Sequence, residues 1–308
     1  MSLKEDHGVL EALEVRLRII LPEEYQDCYD ELEPVSMGSA GLKYGSDGKV
    51  AWDEIWEHFC DLAMAGGPPH KGTLLEPGSR EQIDVEFDRY RKVVDEICRG
   101  VGMVTDLKVE PAPTPGWVRV ECADDGMAGW LVRAIVMENI SVRLAGTVID
   151  FPAGPGYRIE KEIKNVITVM AKTSHYWLEH MWPAQQREIA DLLAKMEVES
   201  PLVQPALADH DFRADSLLDL CGEMAETIRR ATGLTQSGPQ YAGWLGVECP
   251  DVHAAIWMMR AMVASNVLAR REGTVLFVPV NPSSNPGGGT VVRSLVRIHG
   301  FAAARNVL

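Results

Sequence analysis

A chain of 308 residues with 46% hydrophobic and 24% charged side chains reads as a folded, water-soluble protein long enough for two domains of ordinary size. Its formal charge of −15 argues against nucleic acid and anionic membrane surfaces as partners, and no apolar run approaches the roughly 18 residues that cross a bilayer. Six cysteines with no close pair and no CxxC spacing exclude zinc-ribbon and thioredoxin chemistry and fit a reduced, cytoplasmic compartment.

The opening residues carry charges through their apolar part and do not read as a signal peptide. Residues 8–21 begin amphipathically and run into VRLRIIL, whose alternation suggests a first strand. The acidic EEYQDCYDELEP follows, then the Gly/Ser-rich Ser36–Lys49, which lacks the GxxxxGK[ST] spacing of a phosphate loop and reads as a turn. Val50–Ala65 is a predicted helix, with Trp52, Ile55, Trp56, Phe59, Leu62 and Ala63 on one stripe, stopped by Gly66-Gly67 and Pro68-Pro69. The next loop carries His70 and Lys71 on a stiff Pro/Gly scaffold, a pairing suited to proton transfer and anion anchoring. A second helix is expected from Ile83 to Val101.

Gly116–Pro152 and Gly243–Pro279 then align without a gap at a constant offset of 127 (243 − 116), with Gly, Trp, Glu, Cys, Asp, Trp, Arg, Asn, Gly and Thr recurring in register. The pattern predicts an α+β fold built by tandem internal duplication of a helix–strand–helix–β-hairpin–helix unit with pseudo-two-fold symmetry, divided as 1–174 and 175–308. In each copy a strand starts at the Gly-Trp pair and Asp124 or Asp251 caps a helix. Asn139 or Asn266 ends that helix, and a hairpin turns at Gly146 or Gly273. A long helix is expected from Arg158 to Met181, then helices 184–196 and 214–232. A final arginine-bearing helix, about Thr290–Arg305, follows the Gly-rich SSNPGGG.

Several doubled residues are candidates for chemistry. Cys122 and Cys249 share a strand face with core-type residues and read as buried structural thiols. Glu121 and Glu248 lie on the opposite face; brought together across a dyad they form an acid/base pair, while apart they are solvated strand ends. Arg133 and Arg260 sit in otherwise apolar helices with Trp130 and Trp257 three residues earlier. That arrangement suits either a socket for an anionic or planar ligand or an internal salt bridge. His175 and His180, five apart, point away from each other on a straight helix and read as aromatic packing rather than a metal site.

Residues 1–100 hold 22 acidic against 11 basic side chains, whereas from Asp251 onward six arginines face two acids. This asymmetry suits first the packing of acidic parts against basic ones and second the attraction of a small anionic ligand to the C-terminal half. The leading functional expectation is a small-molecule-binding protein or enzyme with a site for an anionic group, using the His70-Lys71 loop with Arg133 or Arg260 near the junction of the halves. The alternative is a non-catalytic interaction or assembly protein. A winged-helix nucleic-acid binder is disfavoured by the acidity and by apolar helices where basic ones are needed.

Overall fold

The computed structural model describes residues 3–20, 41–55, 73–206 and 214–308, a mixture of helix and sheet. It divides into two compact units: a central one, Asp27–Ala190, and a terminal one, Met1–Gln26 with Asp191–Leu308. No helix among the described residues is long and apolar enough to cross a membrane.

The terminal unit opens with α1 (Leu3–Ile20), a helix where VRLRIIL suggested a strand. Leu13 and Ile20 are buried and Leu10 and Leu17 half-buried, so the helical spacing of the apolar positions prevails over the local alternation of Val15 to Ile19.

In the central unit, Ser79 starts α2 (Arg80–Val85) through a capping box: its hydroxyl accepts from the Gln82 N–H, and the Gln82 side chain accepts from the Ser79 N–H. The single helix expected over 83–101 breaks at Glu86, whose non-helical backbone separates α2 from α3 (Phe87–Thr105). Tyr90, Val93, Val94, Ile97 and Val101 form the buried face of α3. A short strand that the sequence pattern did not reveal, β1 (Lys108–Pro111), pairs antiparallel with β2 (Trp117–Glu121). The helix α4 (Asp125–Met137) is capped by Asp124, which accepts from the Met127 N–H at 2.8 Å, and Asn139 follows it with φ 58°. Strands β3 (Arg143–Ala145) and β4 (Val148–Pro152) complete an antiparallel sheet of order β1-β2-β4-β3.

The long helix expected over 158–181 is α5 (Lys164–His175) flanked by π-helical turns, Ile159–Ile163 and Tyr176–His180. It packs against α3 and α4. The next helix, α6 (Pro183–Glu199), contains the unit boundary.

The rest of the terminal unit comprises α7 (Ala214–Thr232), β5 (Trp244–Glu248), α8 (Val252–Val263), β6 (Arg270–Glu272), β7 (Val275–Pro279) and α9 (Gly289–Ala304). Its sheet has the order β5-β7-β6, with Trp244 opposite Pro279 as Trp117 is opposite Pro152 in the central unit. Asp251 caps α8 by accepting from the Ala254 N–H at 2.8 Å, and Asn266 has φ 62°. Where the central sheet has β1, this unit has isolated antiparallel bridges to β5, Gln236 to Val247 and Tyr241 to Trp244.

Candidate functional site

The expected His70-Lys71 loop lies outside the described residues. The two doubled glutamates are each held by their own sheet. Glu121, exposed at the end of β2, receives the Lys108 ammonium at 3.1 Å from the paired position on β1. Glu248 accepts from the Thr274 hydroxyl at 2.5 Å, and hydrogen bonds from Ser237 and Thr274 hold its carboxyl below the usual range.

The helix α4 is buried on every side from Gly126 to Met137, Arg133 included, and the Arg133 Nη1 donates to the Gly129 carbonyl one turn back. Trp130 stacks on Tyr176 at 5.8 Å and 13° and tilts against Trp177. In the terminal unit Arg260 is buried in α8 and Trp257 half-buried. Arginine–aromatic stacking is explicit on the sheets. Arg143 lies 4.6 Å over the Trp117 ring and, with Arg119, binds the buried Asp150 carboxylate. Its counterpart Arg270 is enclosed by Phe277, Tyr241 and Trp244 and bonded to Glu272 at 2.6 Å. Phe277 stands where the central unit has Asp150, so the carboxylate comes instead from the arginine's own strand. On both sheets, then, the stacked arginine, Arg143 or Arg270, is held by the chain's own carboxylate and aromatic side chains.

The π turn reverses one sequence expectation. A wider turn brings positions five apart onto one face, so His175 and His180 meet with their Nε2 atoms 3.0 Å apart instead of diverging. The Glu179 carboxylate lies 3.1 Å from the His175 Nδ1, and the His180 ring stacks on Tyr176 at 5.9 Å. The result is a carboxylate–imidazole–imidazole chain whose outer ring is exposed and whose aromatic floor runs through Tyr176 to the buried Trp130. Such a chain can relay a proton or present two imidazole nitrogens to an ion.

Burial pushes the Cys122 and Cys249 thiols up to about 12. A thiol above its ordinary value is unreactive at neutral pH. Native protein treated with iodoacetamide at pH 8 will leave both unmodified in peptide mapping, and denatured protein will not. A raised thiol pKa contributes stability that is complete below the unfolded value and lost as pH rises toward 12, so the fold weakens on the alkaline side from about pH 9 upward.

A polar line runs down α5. Lys164, Thr168 and Lys172 recur every four residues, and all are buried. The Lys172 Nζ donates to the Glu138 Oε1 at 2.8 Å, with Glu138 1% exposed. Desolvation lowers the Lys164 pKa. Nothing local in the sequence marks this ion pair, because its members lie 34 residues apart.

In the terminal unit the Gly-rich segment is an ordered loop closing on the first turn of α9. The Asn281 Oδ1 accepts from the Ser283 and Ser284 N–H groups. Gly287 and Gly288 have φ 66° and 69°, and a Cβ on Gly288 would fall 2.4 Å from the Met224 Cγ, so glycine lets the loop sit directly on α7. The Asn285 Oδ1 accepts from the Thr290 N–H at 3.0 Å, while its Nδ2, shielded from solvent, has no acceptor among the described residues. The Arg293 guanidinium folds back over the same turn, with Nη2 3.3 Å from the Thr290 hydroxyl and Nη1 3.0 Å from where a Gly289 Cβ would be. Ser283, Ser284, Pro286 and Gly287 are exposed. Comparison with protein families, with curated proteins and with solved structures gives no match to this chain.

Proposed function

We propose that the protein binds a small molecule through an anionic group, and that the first turn of α9 receives that group. The carrying observation is the position of Arg293. A helix N-terminus is equivalent to about half a positive charge. Residues 289–304 place no acid in the first turn, yet the guanidinium folds back onto it. Two positive charges in contact repel, and a bound anion turns that repulsion into two attractions. The Asn285 Nδ2 supports the same reading independently, since a buried donor without an acceptor costs about 1–3 kcal/mol and this one shares its amide with the oxygen that caps Thr290. The exposed Arg297, four residues beyond Arg293 on the same helix, adds charge of the sign an anion needs.

Calorimetric titration with inorganic phosphate and pyrophosphate tests the reading. Arg293→Gln removes an exposed charge and should weaken binding about tenfold or more. Asn285→Asp keeps the acceptor for the Thr290 N–H but replaces the donor with a negative oxygen, and should abolish binding with folding intact. Equal affinity in wild type and both variants would end the proposal.

The shared offset of 127 and the matching caps, turns and strand registers support a duplicated unit as the origin of the two sheets. A cytoplasmic setting draws support from the free thiols of Cys98, Cys122, Cys221 and Cys249, which a reducing compartment preserves.

A further inference from the structure

We infer that His175 and His180 form a chelate for a divalent transition ion of the nickel(II) and copper(II) class on the central unit. The bite sets the class. Metal–imidazole bonds are about 2.0–2.1 Å, so nitrogens 3.0 Å apart subtend roughly a right angle at a shared ion, the angle between adjacent corners of a square or octahedron. A tetrahedral zinc needs a bite wider by about 0.3 Å. The tautomer is also set: the Glu179 carboxylate on Nδ1 fixes that nitrogen as the protonated one and leaves Nε2 as the donor, the usual second layer of a metal-bound histidine.

Tyr176 and Trp130 stack in series beneath the His180 ring, which fixes its plane before any ion arrives. The π turn is the device that makes the bite possible, because an ordinary α-helix separates positions i and i+5 by more than a quarter turn. Both rings are reachable, with His180 and Glu179 exposed and His175 half-buried. Among the described residues no three His, Cys, Asp or Glu groups gather as a metal cluster, so the ion keeps positions open for water or an exogenous ligand.

The test is titration of untagged full-length protein with NiCl2, CuCl2 and ZnCl2, followed by calorimetry and by broadening of the imidazole NMR signals with substoichiometric copper(II). One nickel or copper ion per chain, bound more tightly than zinc relative to a simple imidazole reference, is expected, with the His175 and His180 signals broadened first. His180→Ala, at an exposed position, removes this complex, and Glu179→Ala weakens it about 10–100-fold. Arg293→Gln leaves it unchanged. Absence of binding, unchanged nickel affinity in His180→Ala, or broadening confined to other histidines would overturn the assignment.

Discussion

Lys172→Met should destabilise the protein by about 3–5 kcal/mol in chemical denaturation, the usual cost of leaving one member of a buried ion pair behind. The Glu138 carboxylate is 1% exposed and accepts from the Lys172 ammonium at 2.8 Å. Methionine fills much the same volume as the lysine stem, so lost packing accounts for little of the loss. The double variant Glu138→Leu/Lys172→Met should recover most of the stability, because a well-packed apolar pair replaces a desolvated ionic one at little net cost. A double variant as unstable as the single one would show that the loss came from packing.

A second large effect is expected at Gly243, where β5 begins. Its φ is 73°, and an added Cβ would lie 2.0 Å from the Ala206 carbonyl oxygen and 2.9 Å from the Ala206 nitrogen. That backbone is tied down, since the Ala206 N–H donates to the Val280 carbonyl and the Val280 N–H to the Gly243 carbonyl. Neither side can give way, so Gly243→Ala combines left-handed strain with a backbone collision and should cost about 4 kcal/mol or more. Gly116, its counterpart, has φ 92° but meets the Gly78 carbonyl at 3.1 Å and the Pro77 Cβ at 3.2 Å. Gly116→Ala should therefore cost about 1–2 kcal/mol, mostly strain. Thermal melts of the two variants would order them, and equal shifts would contradict the close approach at Ala206.

Features written in local chemistry were legible in the amino-acid sequence. Asp124 and Asp251 announce their helices because a side-chain oxygen at that position satisfies an otherwise unpaired N–H, and Asn139 and Asn266 tolerate the left-handed exit. The hairpins at Gly146 and Gly273 follow from the same reasoning, with φ 61° and 58°. Features set by competition between periods or by distant partners were not. The alternation from Val15 to Ile19 imitates a strand inside a helix whose register is set by Leu10, Leu13, Leu17 and Ile20. The π turn at Tyr176–His180 has no marker in apolar spacing, so the meeting of His175 and His180 was hidden although both residues were in view. In the sequence Arg293 is one positive charge among six beyond Asp251; the direction it folds depends on Thr290 and on the bare Gly289 beside it.

The most direct test of an anion at the first turn of α9 is a map of backbone amide shifts during titration with pyrophosphate. Saturable shifts centred on Gly287, Gly288, Gly289 and Thr290, absent in Asn285→Asp, are the expected result. Shifts spread over the surface without saturation, or a saturable response centred away from this turn, would contradict it.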